Sequence, residues 1–237
     1  MNADMLEDAF EEPVSTAVQG RPKNNAQALV DYCDHLHTEG CTLCDLGGLH
    51  GPVVVSRGSL KADLMIVGQN PGQTELRIQK PFTGPAGKLL DQQLTEAGIL
   101  GKFKVYWTNV GLCGTAGNEP LNSVQAASCS VHLRTQIKLL GPAAILAVGK
   151  PALDGLCPGA TVFKAMQSVG VIRDYVDVVS AVRLPVFPIL HTAFILRKND
   201  SPDLTKYYKM NMDVLAKLYG YLVNAQIEAA EPVLPEP

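Results

Sequence analysis

The stretch ADLMIVGQNPGQTELRIQKPFTGPAGKLL, residues 62–90, decides the architecture. Its first part, DLMIVG (63–68), is an unbroken apolar run rather than an alternating one, the pattern of a strand covered on both faces in a parallel sheet. Gly68, Pro71 and Gly72 force a turn, and from residue 86 the pattern becomes helical: AGKLLDQQLTEAGI (86–99) sets Leu89, Leu90, Leu94 and Ala97 on one side. Working outward, KVYWTN (104–109), AAILAVG (143–149) and LPVFPILH (184–191) read as three more buried strands. SVQAASCSVHLRTQIKLLG (123–141) reads as a helix opened by a Ser cap and closed by a Gly, and DLTKYYKMNMDVLAKLYGYLV (203–223) as a last amphipathic helix. Alternating strands and helices predict a three-layer α/β/α domain with a central four-stranded parallel sheet.

The chain has 237 residues and a net charge of −3, but the acids are unevenly placed. Residues 1–20 hold five acids and no base, and residues 228–237 hold three acids and no base, which leaves 15 acids against 20 bases between them. A middle of about +5 permits a polyanionic partner without demanding one. Residues 1–26 are acidic and without periodicity, and the end is proline-rich, so a disordered leader (1–26) and tail (228–237) are expected to flank one folded domain, 27–227. No run is long enough to span a bilayer and no basic region precedes an apolar stretch, so a cytoplasmic monomer without a membrane partner is expected. Six cysteines are too few for a disulfide scaffold; the pair in CTLC (41–44) suits a redox motif, half of a metal site, or neither.

In parallel α/β sheets the ligand binds beyond the carboxyl ends of the strands. Gln69 and Asn70 follow the first strand, Phe82 comes from the next loop, Asn109 ends the second strand, and His191 ends the fourth. Glu75 is the carboxylate with access to the same edge. GPAGKL (84–89) is not a phosphate-binding loop, because it lacks both the spacing and the Ser/Thr after Lys. Singly, a turn Asn, a core Phe and a structural His are ordinary; their shared placement at strand ends is what points to a site.

Five blocks, CTLCDL, ADLMIVGQNPGQTELRIQKPFTGPAGKLL, VYWTNVGLC, CSVHLRTQIKLLGPAAILAVG and PVFPILHTAFILR, resemble in order and spacing the segments of family 4 uracil-DNA glycosylases, over residues 29–198. The resemblance implies a DNA-repair hydrolase that flips uracil out of DNA, cleaves its N-glycosidic bond and leaves an abasic site, with uracil-containing DNA as partner. It also implies a [4Fe–4S] cluster held by Cys41, Cys44, Cys113 after a gap of 68 residues, and Cys129 after a further 15. A zinc site on the same cysteines, with His35 and His37 as nitrogen donors, is the alternative from the residues alone. Cys33 and Cys157 have no partner at ligand spacing and read as buried apolar residues.

In the family's terms, Phe82 would stack on the flipped base, Asn109 would read its Watson–Crick edge, and His191 would donate to O2 as negative charge develops. The family's GEAPG is GQNPG here, resembling the Asn-containing motif of mismatch-specific and single-strand-selective glycosylases. That makes Asn70 the water-orienting residue, Glu75 its backup, and Gln69 a substrate contact. Thr192 stands where the family has Pro; beyond it, residues 194–196 are expected to wedge into the stack and Arg197 and Lys198 to hold phosphates. A second reading is a glycosylase-fold protein that binds nucleic acid or a partner without catalysis.

Overall fold

The computed structural model describes residues 22–158, 168–198 and 200–230. In chain order these form α1 (Ala26–Glu39), β1 (Arg57–Gly58), β2 (Leu64–Gly68), α2 (Gln73–Ile78), α3 (Pro85–Glu96) and β3 (Val105–Asn109). A 3₁₀ turn (Ala116–Asn118) precedes α4 (Ser123–Leu140), β4 (Ala144–Val148), α5 (Lys150–Leu156), β5 (Arg173–Asp177), β6 (Val182–Ile189), α6 (Thr192–Arg197) and α7 (Leu204–Ala230).

The sheet order is β1-β3-β2-β4-β6-β5. The four inner strands are parallel, as read from their unbroken apolar runs, and β2, β3 and β4 are buried at every position. The expected four parallel strands form the centre of a six-stranded sheet, to which β1 and β5 add antiparallel edges. β1 is only two residues long, and β5 is RDYVD with only Tyr175 buried, so neither carries the apolar run of a central strand.

Successive residues of one strand face opposite layers, so each inner strand feeds two cores. Met65, Val67, Tyr106, Ile145 and Ala147 pack with Leu29, Cys33 and Leu36 of α1 and with Leu133, Ile137 and Leu140 of α4. Leu64, Ile66, Trp107, Leu146 and Val148 pack instead with Leu90 and Leu94 of α3 and with Val214, Leu215, Leu218 and Leu222 of α7. The result is the three-layer α/β/α arrangement.

Both expected domain boundaries shift. The Asn24 side chain donates to the Leu60 and Leu140 carbonyls at 2.8 and 2.7 Å, and the Asn25 side chain caps α1, so residues 22–26 are ordered where a disordered leader was expected. At the other end α7 continues to Ala230, past the expected boundary at 227. Residues 1–21 and 231–237, the rest of both expected tails, lie outside the described residues. Among the described residues no helix is long and apolar enough to cross a membrane.

Candidate active site

The four parallel strands end at one edge, and the register of β2 on β3 sets Gly68 opposite Asn109. A cavity of about 460 Å³ opens there, within the roughly 300–1,000 Å³ of small-molecule sites. Gln69, Asn70, Glu75, Phe82, Asn109, His191 and Arg197 all line it. Lys198, expected to hold a phosphate, is exposed at the C-cap of α6 and does not line it.

Close approach at the cavity floor requires glycine. A Cβ on Gly68 would stand 2.6 Å from Phe82 Cζ and collide with the Asn109 amide oxygen. Phe82 itself has a φ of +58°, a left-handed backbone that costs an aromatic residue about 1–3 kcal/mol. Arg57 helps hold it there. Its Nε donates to the Pro81 carbonyl at 2.8 Å, its guanidinium lies 4.0 Å from the centre of the Trp107 ring, and its Nη2 meets Asp91 at 2.9 Å.

Asn70 is buried, and its amide is oriented. Nδ2 donates to the Thr115 hydroxyl at 3.1 Å and to Asn118 Oδ1 at 3.0 Å, while Oδ1 has no hydrogen-bond partner among the described residues. A buried acceptor without a partner, on a residue that lines the cavity, is a place for a ligand or a bound water. Glu75 is committed differently: its Oε1 accepts from Gly84 N at 2.7 Å, at the cap of α3.

His191 stands two residues beyond β6 and caps α6, its Nδ1 accepting from Ala193 N at 3.1 Å. That bond assigns the ring proton to Nε2, leaving a donor for the cavity. Burial lowers the imidazole to about 4; Arg197 adds to the shift and Glu75 opposes it. The ring is therefore neutral near pH 7. Asn211 pins the preceding peptide, accepting from Leu190 N at 2.8 Å and donating to Leu190 O at 3.1 Å. Beyond the cap Ile195 turns into the core, so of the expected wedge residues only Leu196 is exposed, while Phe194 lines the cavity and meets Tyr207 edge-on at 5.1 Å.

An aromatic ring, an amide, an unpartnered acceptor and a neutral N–H donor thus share one cavity. Residues 55–215 match the family model described as "Uracil DNA glycosylase superfamily". This chain belongs to the uracil-DNA glycosylase superfamily. A Type-4 uracil-DNA glycosylase of Thermotoga maritima is 32% identical over 166 residues, covering 70% of this chain and 82% of that protein. One of Saccharolobus solfataricus is 30% identical over 158 residues, covering 66% and 72%, and one of Sulfurisphaera tokodaii is 29% identical over 180 residues, covering 75% and 80%.

In this glycosylase-superfamily chain the fold also gathers the spaced cysteines. Cys41, Cys44, Cys113 and Cys129 line one small cavity beside α4, with Leu46, Leu112 and Leu121 around them. Among the described residues no group of three or more His, Cys, Asp or Glu side chains has the arrangement of a metal-binding group. The donor set nevertheless suits a soft-metal centre: four sulfurs and no carboxylate in an apolar shell. Burial pushes the Cys113 thiol up to about 12 and the Cys129 thiol up to about 11, each raised further by the other cysteines. An iron or zinc ion reverses that preference, because a coordinating thiol is deprotonated outright.

His35 and His37, weighed as zinc donors, are exposed on α1 and do not line this cavity. His132 does, its Nε2 lying 3.1 Å from Cys41 Sγ and its Nδ1 2.5 Å from the Tyr32 hydroxyl. Sequence reasoning missed His132, Arg57, Thr115, Asn118 and Asn211. None stands at the carboxyl end of one of the four expected strands, and only the i, i+3 spacing from Cys129 to His132 hinted at one of them.

Proposed function

We propose that this member of the superfamily hydrolyses the N-glycosidic bond of uracil in DNA, leaving an abasic site. The observation that carries the reading is the unpartnered Asn70 Oδ1 in the same cavity as His191, whose Nε2 bears the ring proton. The flipped base stacks on Phe82. The Asn109 amide accepts from its N3–H and donates to O4, a pattern cytosine inverts, and Gln69 lines the approach.

As the C1′–N1 bond breaks, its electron pair goes to the base and charge develops at O2. The neutral His191 Nε2–H meets that charge, an effect of about 2–4 kcal/mol. Asn70 Oδ1 accepts from a water and aims its oxygen at C1′. An amide is too weak a base to deprotonate that water; the oxocarbenium-like sugar makes it acidic as the C1′–O bond forms, and its proton neutralises the departing uracil anion. Glu75 stays as the cap of α3 and a second acceptor within reach of the cavity. Arg197 at the wall and Lys198 beyond it meet phosphates, and the exposed Leu196 enters the stack.

The same reading assigns Cys41, Cys44, Cys113 and Cys129 to an iron–sulfur cluster, with zinc as the alternative. When bound it would supply a covalent tie between the segment after α1 and the segment from β3 to α4. Base release from uracil-containing single- and double-stranded DNA tests the proposal. Release that falls on Asn70→Ala and His191→Gln supports it. Retention of DNA without any release supports the non-catalytic binder instead.

A further inference from the structure

The Asn70 amide would orient water only with its oxygen facing the cavity, and an amide on a turn can flip. Its partners prevent that. The Thr115 hydroxyl donates to the Glu119 carbonyl at 2.6 Å, so its proton is committed and its lone pairs accept from Asn70 Nδ2 at 3.1 Å. Asn118 Oδ1 accepts from the same nitrogen at 3.0 Å, and the Asn118 carbonyl accepts from Gln69 Nε2 at 3.1 Å. Flipping the amide would set Asn70 Oδ1 against the Thr115 oxygen, whose proton is committed, and against Asn118 Oδ1 as that side chain is placed. Asn118 holds a φ of +59°, a conformation that Asn adopts more readily than most residues, so its side chain and carbonyl reach Asn70 and Gln69 from one turn.

We infer that the turn Thr115–Glu119 is a positioning device for the reaction, with Thr115 and Asn118 acting as positioning residues that select the catalytic face of the Asn70 amide. The inference rests on the water-orienting role proposed for Asn70. The turn lies in the segment closed by Cys113 and Cys129, which fixes its ends to the cysteine cavity. The side chains that hold Asn70 in its reactive orientation thus belong to the same segment as two of the four clustered thiols.

The test uses the full chain, purified with its metal content intact. Single-turnover release of uracil and the Kd for uracil-containing DNA are measured for Thr115→Val, Thr115→Ser, Asn118→Gly and Asn70→Ala. Thr115→Val keeps the shape and removes the acceptor; the rate should fall about 30-fold with Kd within about twofold. Thr115→Ser restores the hydroxyl and should restore most of the rate, which a merely structural role would not require. Asn118→Gly keeps the left-handed backbone, removes the second acceptor and should also lower the rate without weakening binding. The pair Asn70→Ala with Thr115→Val should be no slower than Asn70→Ala alone. Additive losses in that pair, or full rates for Thr115→Val and Asn118→Gly beside an impaired Asn70→Ala, overturn the inference and leave the site reading intact. A fully active Asn70→Ala removes the site reading, and the inference with it.

Discussion

The Thr192 hydroxyl donates to the Ala86 carbonyl across 2.7 Å, fastening the helix capped by His191 to the helix that begins just after Phe82. Thr192 is fully buried, so this residue is a tether between the two walls of the cavity and not a feature of an exposed loop.

Removing that tether should loosen both walls. Thr192→Val leaves the Ala86 carbonyl without its partner and is expected to cost about 1–3 kcal/mol, lowering Tm by roughly 2–4 °C per kcal/mol. Thr192→Ser should lose less. Thermal unfolding of both variants beside wild type checks this, and equal melting of all three would refute it.

The lowered titration of His191 has a sign. Its folded value near 4 lies below the ordinary value near 6.5, so the unfolded chain binds the proton more tightly in that window. The contribution of His191 to stability is complete above about pH 6.5 and is lost as pH falls toward 4. His191→Gln should therefore flatten the loss of stability between those limits in denaturant titrations at stepped pH. Catalysis should need the neutral ring: the single-turnover rate stays level on acidification from neutral pH until it falls near pH 4, and His191→Gln lowers it about 10²–10³-fold at pH 7.

Gly68→Ala tests the cavity floor. The added methyl meets Phe82 and the Asn109 amide at once, and both sides are pinned. Binding of uracil-containing DNA should weaken by at least about tenfold, because the base would lose its stacking face and its reading amide together. Non-specific binding to undamaged DNA should be unchanged. Fluorescence anisotropy with matched duplexes separates the two.

Cys113→Ser tests the cysteine cavity. If the four thiols hold an iron–sulfur cluster, the variant should lose visible absorption and bound iron, and its Tm should fall by on the order of 10 °C. Cys33→Ser should keep both iron and colour, since Cys33 sits apart with Ser56 and Tyr106. Iron retained at wild-type stoichiometry in Cys113→Ser would remove that residue from the ligand set.

The parallel core was legible in the chain because a strand covered on both faces is apolar nearly throughout, and DLMIVG, VYWTN and AILAV have the length and composition of such strands. From that order alone the strand ends converge, which brings Asn70, Phe82, Asn109 and His191 to one edge. The edge strands were illegible because β1 is two residues long and β5 carries charge on its open side. Tertiary structure alone decided how each group is oriented. Asn70 owes the direction of its amide to Thr115 and Asn118, 45 and 48 residues away, and the His191 loop owes its place to Asn211 and to Ala86, 106 residues back from Thr192. A hydrogen bond is set by distance and direction in space, and pairs so far apart along a chain leave no period or spacing to read. The sequence determined which chemical groups gather at the sheet edge; the fold determined their orientation, and orientation is what a reaction on a single bond requires.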